Sequence, residues 1–492
     1  MDKRIRVRYA PSPTGYQHIG GIRTALFNYL FARVNNGDFI LRIEDTDQTR
    51  YFDGALEDIF ETFKWLGIDY DEGPVKDGPY GPYFQSKRTD IYKKYAEELV
   101  ENDWAYYCYC DAERLERVKK EQSEKKEINI GYDRYCRNIS DEERQKLKEK
   151  NPNPVIRLKA PLEGKTQFED KLFGKIEVDN ATLQDFVLLK SDGFPTYHLA
   201  NIIDDHLMEI THVLRAQEWI PSTPNHILLY KAFGWAPPQF CHLSMVMGED
   251  GQKLSKRHGA TQVKEFKEKG YLPEAIINFV VLLGWAFDDK QEIFSLDELK
   301  KCFDISKINK SSAVFNYSKL NWFNGFYIRK KSIDELLEIT FPFYVDKGLI
   351  SKNPTGEDLD YLKKVIPLIH ERIEFINEAP EKSDFMFGEM PRYKAWDEII
   401  PKKVDKDTVI KILNDSKEIL KNLGNESSED LQHKLYDLSG KYNVKAGAVF
   451  MPIRIAITGT NRSPELFPVM EVLGKERVLK RINGAIEKLE KE

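Results

Sequence analysis

Two short loops, far apart in the chain, contain residues that could bind and activate a polyphosphate. The first is His18-Ile-Gly-Gly, at the end of the Pro11–Gly21 loop. Its glycines would let a phosphate or a base approach the backbone, and the His18 imidazole can donate to a phosphate oxygen. The second is Lys253-Leu-Ser-Lys-Arg, in which Lys253 and Lys256 could neutralise charge that develops on phosphates. Taken alone, each pattern is also typical of a surface turn or a solvated basic loop.

The elements around the first loop indicate an α/β domain. The alternation from Ile5 to Tyr9 predicts a strand, and apolar spacing from Ile22 to Val34 predicts a helix that ends at Asn35-Asn36-Gly37. A second strand is predicted at Phe39–Asp45 and a second helix at Leu56–Leu66. Strand, helix and strand with short links predict a parallel sheet. A loop between strand and helix N-terminus is a natural phosphate site, although this one matches neither common glycine-rich nucleotide motif.

Composition excludes several classes of protein. The 492 residues include 74 Lys and Arg against 80 Asp and Glu, a net charge of −6, which argues against a generally basic nucleic-acid coat. From Lys441 to Ile482, however, eight basic and three acidic residues give +5, which would suit phosphate contact. No segment reads as a signal peptide or a membrane span. Five cysteines in so long a chain predict a reducing compartment, and we expect a cytoplasmic protein without a membrane partner.

Three of the cysteines have a spacing that suits a metal. Cys108 and Cys110 are two residues apart, and Cys136 follows in a segment dense in Lys and Glu. Three thiolates are soft ligands of the kind that Zn²⁺ prefers. The alternative is a small core of reduced thiols. Cys241 and Cys302 have no such partners in the sequence and are interpreted as packing residues.

Together, the two loops resemble the two signatures of class I aminoacyl-tRNA synthetases. The surrounding segments resemble the bacterial glutamyl-tRNA synthetase family, notably RYAPSPTG, FILRIEDTDQTR, DGFPTYHLANIIDDH and LSMVMGEDGQKLSKRHGA. Near the end, KAGAVFMPIRIAITGTNRSPELFPVMEVLGKERVLKRI is similar to the family's C-terminal helical domain. The departures are Gly21, where the signature has a second histidine, and Leu254 and Arg257 in the lysine signature.

The resemblance implies an α/β Rossmann-type catalytic domain with an inserted α+β acceptor-binding subdomain, followed by an all-α C-terminal anticodon-binding region. The expected boundaries are 1–107 and 192–252 for the two halves of the catalytic domain and 108–191 for the insert. Residues 253–325 would hold the lysine loop and a helical stem-contact domain, and 326–492 the helical anticodon-binding domains. Helical periodicity near 410–423, 431–438 and 472–489 agrees with this arrangement.

The resemblance also implies the reaction, which is ATP-dependent ligation of L-glutamate to tRNA(Glu) through a glutamyl-adenylate. Because a carboxylate is already ionised at pH 7, its attack on the α-phosphorus needs positioning and charge stabilisation, with Mg²⁺, rather than a general base. His18, Lys253 and Lys256 would be the catalytic residues. The implied ATP-binding residues are His18, Gly20, Gly21, Glu218, Lys253, Ser255, Lys256 and Arg257.

Glutamate presents two carboxylates and an ammonium, so its pocket needs cationic forks and one anion. Arg8 and Arg215 can each hold a carboxylate bidentately, and Glu44 can neutralise the ammonium. Tyr197 and Asn201, four residues apart, would share one helical face. The family resemblance assigns to glutamate the residues Arg8, Ala10, Ser12, Glu44, Tyr197, Asn201 and Arg215.

For the cysteine cluster, the resemblance implies one structural Zn²⁺. Some bacterial members of the family place a histidine two residues after the third cysteine, where this chain has Asn138. We therefore favour Tyr132 as the fourth ligand, with water as the alternative. The predicted metal ligands are Cys108, Cys110, Tyr132 and Cys136.

Other classes of protein predict features that this sequence does not have. A glutaminyl-tRNA synthetase should have a β-barrel anticodon region, which the helical C-terminal pattern contradicts. A truncated paralogue would lack the last third of the chain, and a non-catalytic RNA-binding homologue should have lost His18 or Lys256. Within the favoured family, we expect a monomer that acts on tRNA(Glu), and the alternative is a non-discriminating enzyme that also charges tRNA(Gln).

Overall fold

A computed structural model describes residues 4–126, 130–422 and 428–492, apart from the side chains of Gln48, Lys256 and Ser428. The chain forms two compact units. The first consists of Met1–Lys267 and Pro273–Leu320, and the second of Glu268–Leu272 and Asn321–Glu492.

The first unit alternates strands and helices for most of its length. In chain order these are β1 (Arg6–Tyr9), α1 (Ile19–Val34), β2 (Asp38–Leu41), α2 (Ala55–Leu66), α3 (Thr89–Glu101), β3 (Ala105–Cys108), α4 (Ala112–Glu124), α5 (Asp141–Lys150), β4 (Val155–Leu158), β5 (Lys165–Asp170), β6 (Gly174–Asp179), β7 (Val187–Leu189), α6 (Tyr197–Leu207), β8 (His212–Ala216), α7 (Thr223–Ala232), β9 (Gln239–Leu243), β10 (Val246–Met247), α8 (Val263–Glu268), α9 (Pro273–Val281), α10 (Leu296–Cys302) and β11 (Ala313–Val314).

Parallel strands form the centre of this unit. β1 pairs with β2 in parallel, and β8 pairs in parallel with β9, with Arg215 opposite His242. Thr211 connects the two pairs, because its hydroxyl accepts from the Arg6 N–H at 2.9 Å and its own N–H donates to the Arg6 carbonyl at 2.9 Å. The predicted parallel α/β sheet is confirmed. The carboxyl ends of these strands lie at one edge, which is where ligands bind in open α/β sheets.

α1 begins at the first signature loop and is packed against this sheet. His18 is its N-cap, and the helix ends at Asn35 as the sequence predicts. Most of its residues are buried, including Arg23 and Asn28, so it is an internal helix rather than an amphipathic surface one. The following Gly37 is required by close packing, since a Cβ there would lie 2.4 Å from the Ile5 carbonyl oxygen.

The inserted region has its own small antiparallel sheet. β4 pairs with β3 on one side and with β7 on the other, and α4 and α5 lie between β3 and β4 in the chain. β5 and β6 form an antiparallel hairpin, and Asp170 at the end of β5 pairs in parallel with Phe240 of β9. This last contact brings an acidic residue of the insert to the central sheet.

The second unit has helices and no strands among its described residues, which confirms the predicted all-α C-terminal region. Its helices are α11 (Tyr317–Lys330, which begins in the first unit), α12 (Ile333–Asp346), α13 (Gly356–Ile369), α14 (Ala379–Ser383), α15 (Lys406–Lys421), α16 (Ser428–Lys441), α17 (Ala446–Thr458), α18 (Leu466–Leu473) and α19 (Lys475–Lys491).

The helix predicted near 472–489 is present as α19, but it begins only at Lys475. The run from Val472 to Leu489 is not continuous, because Gly474 adopts φ 81° and separates α18 from α19. In α19, the buried Arg481 donates to the carbonyl oxygens of Glu389 and Ile457 at 3.1 and 2.7 Å.

Across the parts of the chain that the structure covers, no helix is both long and apolar enough to span a membrane.

Candidate active site

A cavity of about 490 Å³ opens between the start of α1 and the ends of β8 and β9. Its lining includes six of the residues predicted to bind ATP: His18, Gly20, Gly21, Glu218, Lys253 and Ser255. Arg257 is not among the lining residues and lies 3.4 Å from Asp250. The side chain of Lys256 lies outside the described part of the molecule.

His18 is oriented by the helix that it caps. Its Nδ1 accepts from the N–H groups of Gly20 at 3.1 Å and Gly21 at 3.4 Å, so in the neutral ring the proton is on Nε2. The ring is exposed, but neighbouring protein atoms partly desolvate it, and this effect lowers the pKa of His18. The charge of Lys253 lowers the pKa further. The imidazole is therefore a neutral N–H donor at pH 7, suited to a phosphate oxygen.

The lysine loop is tied to the same cavity by an ion pair. Lys253 Nζ lies 2.6 Å from Glu218 Oε2, and both side chains are about half exposed or more. Within the loop, His258 Nε2 lies 3.0 Å from Asp250 Oδ1, and the Ser255 N–H donates to His258 Nδ1 at 3.0 Å. Lys253 therefore lies at the cavity with its charge balanced by the Glu218 carboxylate, and a polyphosphate could replace that carboxylate.

Sequence reasoning missed a buried cation in the wall of this cavity. Arg23 of α1 is 3% exposed, and its guanidinium donates to the Ser244 carbonyl and lies 5.0 Å from the centre of the Phe27 ring. The available signal was a basic residue in the first half of a helix whose residues are mostly apolar. Burial lowers the pKa of Arg23 to about 10.

A second cluster of charged residues lies at the ends of β1 and β2 and along α6. Arg8 Nε lies 3.0 Å from Asp205 Oδ1, and its Nη2 lies 3.4 Å from Asn201 Oδ1. Arg42 donates to Asp205 at 2.8 Å, to Asn201 at 3.1 Å and to Glu44 at 3.3 Å. Three predicted glutamate-binding residues, Arg8, Glu44 and Asn201, therefore belong to one buried network, in which Arg42 and Asp205 had not been identified.

Glu44 has an unusual environment within that network. Burial raises its pKa to about 7, although Arg42 and Arg8 act in the opposite direction. Its N–H donates to the Pro11 carbonyl at 3.0 Å, which fixes the segment containing Ala10 and Ser12 beside it. Ser12 itself is exposed. Glu44 is therefore a buried carboxyl that titrates near neutral pH.

The remaining predicted pair, Tyr197 and Arg215, is also brought together. Arg215 donates to the Tyr197 hydroxyl at 3.2 Å and is itself 4% exposed. The residue after it, Ala216, lines the cavity described above. The site predicted for glutamate and the site predicted for ATP therefore meet at the end of β8.

The three cysteines of the insert form a second candidate site. Their sulfurs all lie within 4.8 Å of one another, and Cys110 Sγ is 3.5 Å from Cys136 Sγ. Tyr132 Oη lies 3.4 Å from Cys108 Sγ and accepts from the Cys136 N–H at 2.8 Å. Zinc–sulfur bonds of about 2.3 Å in a tetrahedron separate sulfurs by about 3.8 Å, so this donor set fits Zn²⁺ with little movement.

Comparisons with known proteins agree with this geometry. The family model described as "tRNA synthetases class I (E and Q), catalytic domain" matches residues 4–322, and "Anticodon binding domain" matches residues 335–486. A glutamate–tRNA ligase of Treponema denticola is 51% identical, with 98% of this chain and 99% of that protein covered. For that of Borreliella burgdorferi the identity is 53%, with 98% of each covered. A solved glutamate tRNA ligase from Elizabethkingia meningosepticum, in complex with its amino acid, has a TM-score of 0.89 at 38% identity, with 99% of this chain and 100% of that one covered.

Proposed function

The chain belongs to the glutamate–tRNA ligases, class I synthetases that use ATP to join glutamate to tRNA, and from that premise we propose which residues carry each step. ATP would occupy the 490 Å³ cavity, with its phosphates against His18, Gly20, Gly21, Lys253, Ser255 and Lys256. Glu218 would first release Lys253, and Arg257 would contribute charge from the edge of the loop. Mg²⁺ would enter with the phosphates and neutralise part of their charge.

The arrangement that carries this proposal is the junction at the end of β8. Arg215 belongs to the predicted glutamate site, and Ala216 and Glu218 line the predicted ATP cavity. A carboxylate bound near Arg215 would lie beside the phosphates without any covalent link to the protein. Positioning of this kind can replace a general base, because the attacking carboxylate is already ionised.

For glutamate itself, we propose that Glu44 binds the ammonium and that Arg8, Tyr197, Asn201 and Arg215 bind the carboxylates. The backbone beside Ala10 and Ser12 would close the pocket next to Glu44. Buried forks of Arg and hydroxyl donors support this assignment, since they match the planar carboxylate group.

The second step would transfer glutamate from the adenylate to the terminal ribose of tRNA(Glu). The match of residues 335–486 to an anticodon-binding domain supports contact with the far end of that tRNA. We propose the domain boundaries 1–107 with 192–252, 108–191, 253–325 and 326–492, and a cytoplasmic monomer. The names of the relatives give no support to the alternative that tRNA(Gln) is also charged.

We propose that one structural Zn²⁺ is held by Cys108, Cys110 and Cys136, with Tyr132 as the fourth ligand. The spacing of the sulfurs and the nearby Tyr132 hydroxyl support this set. The metal would fold the insert locally rather than take part in chemistry, because the cluster belongs to the β3–β4–β7 sheet and not to the central one.

The experiment that tests the proposed activity is charging of purified tRNA(Glu) and tRNA(Gln) with labelled glutamate. His18→Ala should reduce pyrophosphate exchange by a factor on the order of 10² when tRNA is present, since one charge-stabilising contact is lost. Exchange should be recorded with and without tRNA. Charging of tRNA(Gln) as efficient as that of tRNA(Glu) would establish the non-discriminating alternative.

A further inference from the structure

Within the part of the chain that the structure describes, every group that accepts a hydrogen bond from Arg215 is uncharged. Among the described residues, its Nε donates to His242 Nε2 at 3.1 Å, one terminal nitrogen to the Tyr197 hydroxyl at 3.2 Å, and the other to the Thr223 hydroxyl at 2.8 Å and His226 Nδ1 at 3.2 Å. Four of its five N–H groups are thereby satisfied without a carboxylate.

Two further contacts fix His242 and His226 in the tautomers that can accept a hydrogen bond from Arg215. Asp170 Oδ2 lies 2.6 Å from His242 Nδ1, so that nitrogen carries the proton and Nε2 is free to accept from Arg215. The other Asp170 oxygen accepts from the N–H groups of Leu172 and Phe173 at 3.0 and 2.9 Å, which holds the carboxylate still. The insert thereby orients a residue of the central sheet.

The second histidine is fixed in the same way from the opposite side. His198 Nδ1 lies 3.0 Å from His226 Nε2, so His226 donates through Nε2 and accepts from Arg215 through Nδ1. The His226 ring is completely buried, and the His198 ring is partly buried. Burial first, and then the charge of Arg215, lower the pKa of each of these two histidines.

Three other buried arginines of the same unit are arranged differently, because each of them faces a carboxylate. Arg8 pairs with Asp205 at 3.0 Å, Arg42 with Asp205 at 2.8 Å, and Arg88 with Asp204 at 2.8 Å. Arg215 is thus a buried cation whose hydrogen bonds are satisfied but whose charge is not balanced by its partners. Such a charge is costly to bury and strongly favours an incoming anion.

We propose that His226 and His242 are positioning residues that keep the charge of Arg215 available for a carboxylate of the amino acid. Neutral acceptors hold the guanidinium in one orientation, whereas a carboxylate in the same place would neutralise it and compete with the substrate. Glutamate has a net charge of −1 and glutamine none, so this arrangement favours glutamate. The proposal rests on the proposed role of Arg215 in glutamate binding.

The test compares His226→Gln with His226→Glu. The His226→Gln variant retains a neutral acceptor and should keep the KM for the substrate glutamate within about threefold. The His226→Glu variant should raise that KM on the order of 10²-fold, because its new carboxylate pairs with Arg215. The KM for ATP should be unchanged in both variants. His212→Gln, on the same sheet but bonded to Thr211 rather than Arg215, is the matched control and should leave both constants unchanged.

Equal KM values for glutamate in the Gln and Glu variants would overturn the proposal. If His226→Glu does not fold, Asp170→Asn decides, since it should raise the KM for glutamate about tenfold by freeing the ring of His242, without affecting the KM for ATP. Arg215→Ala distinguishes a failure of the proposed glutamate site from a failure of the positioning role alone. A wild-type KM for glutamate in that variant would reject the proposed site, whereas a raised KM with no effect of His226→Glu or Asp170→Asn would reject only the positioning role.

Discussion

Arg42 Nη1 lies 2.8 Å from Asp205 Oδ1, and the two side chains are 0% and 1% exposed. The same carboxylate also receives Arg8 at 3.0 Å, and Arg42 reaches Glu44 at 3.3 Å. One arginine therefore holds two acidic groups of the site in place before any substrate arrives. Its removal would leave those carboxylates buried with fewer partners, which is costly in a protein interior.

Arg42→Met should lower the free energy of unfolding by about 3–5 kcal/mol, because it removes one member of a buried ionic network. Urea denaturation followed by far-UV circular dichroism measures this. Arg50→Ala is the matched control, since Arg50 pairs with Asp47 at the surface and a surface pair contributes about 0–1 kcal/mol. A loss for Arg42→Met no larger than that for Arg50→Ala would show that the network does not stabilise the fold.

The KM for glutamate should fall as pH rises through 7. Only the ionised Glu44 can neutralise the substrate ammonium, and with a pKa of about 7 its ionised fraction grows about tenfold between pH 6 and pH 8. Of the groups that face it, Arg42 and Tyr197 have raised pKa values and Asp205 a lowered one, so none of these three titrates in that range, and Arg8 is the second cation beside it. Glu44→Gln should have a high KM that does not change with pH. A wild-type KM that is constant from pH 6 to pH 8 would contradict the prediction.

The titration of Glu44 also makes the free energy of unfolding depend on pH. Because the pKa of Glu44 is raised above its ordinary value of 4.5, the native state binds a proton that the unfolded chain has already released between pH 4.5 and 7. The contribution of this group to stability is therefore largest below pH 4.5 and is lost as pH rises to 7. Glu44→Gln should remove that part of the pH dependence of unfolding.

Local elements were predictable where the sequence pattern matches a single structure. The spacing from Ile22 to Val34 and the Asn35-Asn36-Gly37 stop gave α1, and the alternation from Ile5 to Tyr9 gave β1. Gly474 was the exception, because apolar periodicity continued across a residue whose positive φ breaks the helix. Apolar periodicity indicates which positions are buried, but it does not indicate the φ angle of Gly474.

The site was predictable only in part, because charge pairing depends on contacts between distant segments. Arg8 and Glu44 were found through family resemblance, whereas Arg42 looked like an ordinary charged residue of a strand. Its partner Asp205 lies 163 positions away in the chain. Buried ion pairs of this kind leave a weak local signal, namely a charged residue among apolar neighbours, which Arg42 and Arg23 share.

Lys253→Ala should reduce pyrophosphate exchange by a factor on the order of 10²–10³, because its ammonium is proposed to neutralise phosphate charge in the transition state. The fold should be unaffected, since its pair with Glu218 is at the surface. Lys290→Ala, on an exposed turn of the same unit, is the control for loss of a lysine. Exchange within a few-fold of the parent in the Lys253 variant would remove this residue from the mechanism.

Protein purified without added metal should contain one Zn²⁺ per chain by elemental analysis, and Cys110→Ser should lose it. Chelation should lower tRNA charging through local unfolding of the insert, since ligands in such sites fold around their metal. Cys241→Ser is the control, because Cys241 is a free, buried thiol outside the cluster. A metal-free preparation with unchanged stability and charging would favour the alternative of reduced thiols.

The last prediction concerns the rejection of glutamine, and the structure separates the two arginines that contribute to it. Arg215→Ala should raise the KM for glutamate steeply and should lower stability less than Arg8→Ala does, because it leaves neutral acceptors rather than a carboxylate without a partner. Arg8→Ala should raise that KM as well, but it should also cost on the order of 3 kcal/mol, since Asp205 loses one of its two partners.

A buried site built to bind a carboxylate through its cations can reject an isosteric amide by a factor of roughly 10⁴, far more than a difference of one methylene allows. Steady-state charging with glutamate, glutamine and aspartate in competition measures this ratio. In Arg8→Ala the preference for glutamate over glutamine should fall by at least an order of magnitude, because Arg8 is proposed to face the side-chain carboxylate that glutamine lacks. In Arg215→Ala the preference should fall less, because the attacking carboxylate near Arg215 is common to both amino acids. Wild-type KM and selectivity in both variants would mean that glutamate binds elsewhere.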